Sequence, residues 1–157
     1  LDDVSFDDGV QCDAEKVARL AIHDANHGDD TRIELILASR LSTAPVEMPA
    51  ALAVAALRNL LDNALRHTHA AARVELSVET FDGQAHFRVR DYGPGIPEPD
   101  LEKLTQRFWR NGKSPGAGLG LAIVQAIVQR CACSLRFDSR SDGLRVELSM
   151  PLRPMSA

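Results

Sequence analysis

The sequence predicts one α+β domain in which a layer of helices covers a mostly antiparallel sheet. Three observations carry this reading. Two pairs of strand-like runs are each joined across a turn containing Asp-Gly, the signature of hairpins. Three segments rich in Ala, Leu, Ile and Val have the spacing of helices. The chain has 157 residues, is 45% hydrophobic and 25% charged, and so suffices for one substantial core.

The elements follow in order. Residues 13–26 read as a helix with Asp13 as N-cap and Val17, Leu20 and Ala21 as its apolar stripe. Gly28-Asp29-Asp30 breaks that pattern, and 32–37 reads as a strand. Pro45 and Pro49 punctuate a loop before a long helix over 50–67. Runs 73–80 and 86–91 alternate apolar with polar residues and form a hairpin through Asp82-Gly83, with one face buried. Gly93, Pro94, Gly95, Pro97 and Pro99 then oppose regular structure, and a short helix is expected over 101–108. A further helix runs from 118 or 119 to 130, and a last hairpin pairs 133–138 with 144–150 across Ser141-Asp142-Gly143.

Several function classes are disfavoured. A formal charge of -4 and dispersed arginines give no footprint for nucleic acid. No apolar run reaches the roughly 18 residues of a membrane span, so this piece itself should not contact a membrane, whatever protein it comes from. The start does not resemble a signal peptide. Three cysteines, Cys12, Cys131 and Cys133, make no disulfide framework, and neither they nor the five histidines have zinc-site spacing.

The stretch Asn111-Gly-Lys-Ser-Pro-Gly-Ala-Gly-Leu-Gly-Leu-Ala122 suggests a phosphate loop twice over. A Walker motif needs glycine where Arg107 stands, and Pro115 follows Lys113-Ser114 at once. A dinucleotide fingerprint needs glycine where Leu121 stands. Gly116, Gly118 and Gly120 nevertheless permit close backbone approach at a helix start, where unpaired N–H groups favour anions. On the 50–67 helix, Asn59, Asn63, Arg66 and His67 fall on one side, facing away from Leu57, Leu61, Ala64 and Leu65. An asparagine oxygen suits Mg²⁺ whose other ligands are phosphates and water, and Arg66 could neutralise those phosphates. Asp91 ends a strand and enters a turn in Asp91-Tyr-Gly-Pro-Gly-Ile-Pro97. Its carboxylate could accept a hydrogen bond from the adenine amine and would repel the guanine carbonyl; alternatively it caps its own turn.

Taken together these segments resemble the catalytic and ATP-binding domain of bacterial two-component sensor histidine kinases, within the ATPase superfamily of gyrase, Hsp90 and MutL. Arg58-Asn-Leu-Leu-Asp-Asn-Ala-Leu-Arg-His-Thr68 resembles the N box and Asp91 to Pro97 the G1 box. Gln106-Arg-Phe-Trp-Arg110 resembles the F box and Gly116-Ala-Gly-Leu-Gly-Leu-Ala-Ile-Val124 the G2 box. The resemblance spans roughly 14–152. It implies a Bergerat-type two-layer α/β sandwich spanning 1–157 as a single domain, with an ATP lid over about 97–117.

The same resemblance implies the site. Asn63 would hold Mg²⁺, Asn59 would lie beside it, and Arg66 and His67 would approach phosphates or ribose. Asp91 would read adenine, in a pocket shaped by Gly93, Gly95 and Ile96. Arg110 would reach the terminal phosphate, and Phe108 would anchor the lid. Gly116, Gly118, Leu119 and Gly120 would end the lid and present backbone donors. Asn63, Arg66 and Arg110 form the implied catalytic set, with ATP and Mg²⁺ as cofactors. Hydrolytic relatives carry glutamate where Asn59 stands, so water should be a poor acceptor here.

The acceptor would be a histidine on a dimerisation domain absent from these residues, since His23-Asp24 lacks the acceptor pattern. The cognate response regulator would be the next partner. This piece is expected to be monomeric, and its parent a homodimeric inner-membrane sensor with this domain in the cytoplasm. A serine-directed anti-sigma-factor kinase and a stand-alone ATPase are the alternative readings. Thr105 stands where the F box usually begins with phenylalanine, and Cys131-Ala132-Cys133 replaces the usual glycine pair after the G2 helix.

Overall fold

The computed structural model describes residues 11–26, 32–66, 68, 72–93, 118–140 and 142–154. Helix α1 (Ala14–Asn26) starts where Asp13 Oδ1 accepts the Lys16 N–H at 2.9 Å, the expected N-cap. Its buried side is built from Ala14, Val17, Ala18, Ala21 and Ala25. Leu20, expected in the stripe, is 37% exposed instead. The buried side packs on α2 (Ala50–Arg66), whose Ala53 and Ala56 are also buried, and Leu20 falls about 120° round the helix from the centre of that side.

Strand β1 (Ile33–Leu37) lies parallel to β2 (Val74–Phe81), and parallel neighbours require the crossover that α2 supplies. β2 returns as β3 (Gln84–Asp91) through Asp82 and Gly83, at φ 55° and 72°. Positive φ at both turn residues matches the strand twist of a two-residue hairpin, as Asp-Gly foretold. The chain then reaches α3 (Gly118–Arg130), β4 (Ser134–Arg140) and β5 (Gly143–Pro151). β5 inserts between β3 and β4, antiparallel to both, so the order is β1-β2-β3-β5-β4.

Register explains the core. Leu35, Leu76, Val89, Val146 and Phe137 form one cross-strand row, and Leu37, Val78, Phe87, Leu148 and Leu135 form the next. Side chains alternate, so both rows share the face that packs on the helices, with Phe87 and Leu148 fully buried. α2 packs against α1, α3 and β3 and is thus the centre of the helical layer. The opposite face carries ions: Arg88 bonds Glu79 at 3.0 Å and Glu147 at 3.4 Å. On that face His86 is buried under the Phe81 ring and lies 2.8 Å from Ser149 Oγ.

The end of α3 places Ala132, within Cys131-Ala132-Cys133, at a position that favours glycine. Cys131 N–H bonds the Ile127 carbonyl at 2.9 Å, and Cys133 N–H reaches back to Val128 at 3.2 Å. Ala132 between them has φ 57°. This is a Schellman-type stop, whose left-handed residue is usually glycine because a Cβ is strained there. Ala132→Gly is therefore expected to stabilise the fold by about 0.5–1 kcal/mol, after the added freedom of the unfolded chain is offset. A rise in the urea midpoint at constant slope would register it.

Candidate nucleotide site

Asp91 occupies the last position of β3 and pairs in register with Val74. It has the same parity as Phe87 and Val89, so the two-residue repeat places it on the helix-facing side, 4% exposed. Its Oδ1 accepts the Gly93 N–H at 3.0 Å and the Leu144 N–H at 3.2 Å. Among the described residues both bonds fall on Oδ1, which leaves Oδ2 for a ligand. The carboxylate thus does cap its own turn, and that cap holds it in one orientation.

Asn59, Asn63 and Arg66 occupy successive turns of α2, as the spacing required. Asn59 does not stand on an open polar face, however. It is 8% exposed, and its Nδ2 donates to the Ala55 carbonyl at 2.7 Å. The cause is that α2 is flanked by α1 and α3, so little of it faces solvent. That bond uses one of the two amide N–H donors and does not involve the Asn59 side-chain oxygen. Asn63 is half-buried, and its Oδ1 accepts from Arg66 Nη2 at 2.8 Å; Arg66 itself is exposed. The last turn of α2 is tied down by Arg32, whose Nη2 meets the Leu65 carbonyl at 3.4 Å and whose Nε meets Ala72 at 3.0 Å.

Gly118, Leu119 and Gly120 form the first turn of α3, which packs on α2. Their backbone N–H groups have no partner within the helix, as at any helix start. His67, Gly95, Ile96, Phe108, Arg110 and Gly116 lie outside the described residues, as do the 97–117 lid and Thr105. The structure joins Asn63 directly to Arg66, and Asp91 directly to Gly93.

Two features escaped the sequence. Thr68, just beyond α2, has a buried Oγ1 with no partner among the described residues. Its place at the end of the N-box-like run was the only signal. Leu144 supplies a backbone donor to Asp91 from 53 positions away, which no local pattern displays.

Cys12, Cys131 and Cys133 are free, and burial pushes the Cys133 thiol up to about 12, so it stays protonated at neutral pH. Among the described residues no group of three His, Cys, Asp or Glu is placed to hold a metal. No helix among the described residues is long and apolar enough to cross a membrane.

Residues 50–154 match the family model described as Histidine kinase-, DNA gyrase B-, and HSP90-like ATPase. The chain is 35% identical over 109 residues to the signal transduction histidine-protein kinase/phosphatase MprB of Mycobacterium leprae, covering 64% of this chain and 21% of that protein. It is 38% identical over 98 residues to the sensor protein kinase PmrB of Pseudomonas aeruginosa, covering 59% of this chain and 20% of that one. It thus spans about a fifth of the length of these curated relatives. Among solved structures, the histidine kinase domain of the E. coli osmosensor EnvZ superposes with a TM-score of 0.71 at 30% identity, covering 94% of this chain and 91% of that one.

Proposed function

The chain belongs to the histidine kinase-, DNA gyrase B- and HSP90-like ATPases, as the catalytic ATP-binding domain of a bacterial sensor histidine kinase, and we propose that it donates the ATP γ-phosphoryl group to a histidine on a separate dimerisation domain. The observation that carries the acceptor choice is Asn59. It stands buried on the site helix where a hydrolase needs a carboxylate to activate water, and an amide cannot act as that base. The chemistry then rests on positioning and on charge neutralisation.

Asn63 is the residue of α2 that would hold Mg²⁺, with the nucleotide phosphates completing the shell. The ion would neutralise charge on the phosphates. Asn63 Oδ1 accepts from Arg66, so that guanidinium stands beside the same oxygen and would neutralise phosphate charge there. The backbone donors at Gly118 and Gly120 would meet the same groups. Asp91 would accept from the adenine amine through Oδ2. The segment 97–117 would close over the nucleotide as the lid, with Arg110 and Phe108 on it. The phosphorylated histidine would serve a response regulator, and the parent would be a homodimeric sensor anchored in the membrane, with this domain in the cytoplasm.

The test supplies the missing acceptor. The chain is mixed with the dimerisation domain of its parent and γ-labelled ATP. Acid-labile label should appear on the acceptor histidine, with slow release of free phosphate. Asn63→Ala should lower that transfer by at least tenfold, the scale of a lost metal-site contact. Rapid turnover to free phosphate by the chain alone, with no label on the acceptor, would overturn the reading.

A further inference from the structure

Arg90 and Asp91 are neighbours on β3, so their side chains leave opposite faces of the sheet. The turn between β4 and β5 reaches both. On the open face, Arg90 Nη2 bonds Asp142 Oδ2 at 3.0 Å. On the helix-facing side, the Leu144 N–H bonds Asp91 Oδ1 at 3.2 Å. Between these two grips sits Gly143, at φ 145°, whose backbone lies so close to the Asp91 carbonyl oxygen that a Cβ would collide with it. Arg90 is held from a second direction as well. Its guanidinium lies 4.5 Å over the Tyr92 ring.

Among the described residues, other charges near this turn pair with one another. Asp138 pairs with Arg145 at 3.2 Å and with Arg140 at 3.5 Å. Beyond the β3–β5 ladder, which ends at Arg90 and Arg145, the turn is therefore fastened to the end of β3 by one ion pair and one hydrogen bond from a backbone N–H, at residues two apart.

We propose that Arg90 and Asp142 are positioning residues for base recognition: their ion pair holds the β4–β5 turn so that the Leu144 N–H fixes the Asp91 carboxylate. The inference rests on Asp91 reading the base. It adds that selectivity for ATP is set partly from the opposite face of the sheet, by residues that never touch nucleotide. Loosening the turn frees the carboxylate to rotate. A rotating carboxylate discriminates less between an amine and a carbonyl, while the phosphate contacts shared by ATP and GTP are unchanged.

The experiment measures Kd for ATP and GTP on the full chain and on Arg90→Ala, Asp142→Asn, the charge-swapped pair Arg90→Asp with Asp142→Arg, and Asp91→Asn. The ATP:GTP preference should fall about threefold to fivefold in Arg90→Ala and in Asp142→Asn, the span of a partly exposed ion pair. It should recover in the swap, and the Leu144 amide proton should shift with it. A merely destabilised fold would weaken both nucleotides alike and leave their ratio intact. Asp142 is an exposed turn residue, so its variant keeps the test valid should Arg90→Ala fold poorly. An unchanged ratio in both single variants, with Asp91→Asn losing the preference, would overturn the positioning role alone. No preference in the parent chain, or full preference in Asp91→Asn, would overturn the base reading and this inference together.

Discussion

Asp91→Asn is expected to weaken ATP binding by on the order of a hundredfold, about 3 kcal/mol, the scale of a charge-assisted hydrogen bond replaced by opposed donors. The substitution is isosteric, and one side-chain oxygen remains to accept the Gly93 and Leu144 N–H groups. The fold should therefore lose little, and the unfolding midpoint should stay near its starting value. The other position changes from acceptor to amide donor, and it would then face the adenine amine, also a donor. Guanine offers a carbonyl at that place, so GTP should lose far less than ATP or gain. Calorimetric titration with both nucleotides in Mg²⁺ decides it, and wild-type ATP affinity in the variant would remove Asp91 from base recognition.

The reason Asp91 could be picked out beforehand is that strand parity and a following turn are local properties. A residue two and four places beyond the buried Val89 and Phe87 must face the helices, whatever else the fold does. The Asp82-Gly83 hairpin and the Asp13 cap were legible for the same reason, since each depends on a few adjacent residues. What the sequence hid were properties set by distant chain. Leu20 looked like core and Asn59 like surface, because helical spacing gives the side of a helix but not what packs there. Alanine carries a weak hydrophobic signal, so the close contact of α1 with α2 was not visible in the stripe. The strand order, with β5 inserted beside β3, is likewise non-local, and the bond from Leu144 to Asp91 follows only from that insertion.

Gly143 tests whether that insertion matters, because its neighbours leave no room for error. Gly143→Ala is expected to cost about 3 kcal/mol, the sum of a strained positive φ and of forced overpacking, each of order 1–3 kcal/mol. Its Cβ would meet the carbonyl oxygen of Asp91 and come within 3.2 Å of the Tyr92 Cα, and both are backbone atoms that cannot swing aside. For a chain of this size the midpoint of thermal unfolding should fall by roughly 6–12 °C. Gly83 supplies the control. It too has positive φ, 72°, but a Cβ there meets nothing within 4 Å, so Gly83→Ala should cost only the conformational part, about 1 kcal/mol. A Gly143 variant no less stable than the Gly83 variant would mean that the turn can back away from β3 freely. If it cannot, the two variants should also separate in binding. Displacing Gly143 pushes on the backbone of Asp91 and draws the Leu144 donor from its carboxylate, so ATP affinity should fall further than stability alone explains. The Gly83 hairpin lies at the far end of β3, and its variant should bind ATP as the parent chain does.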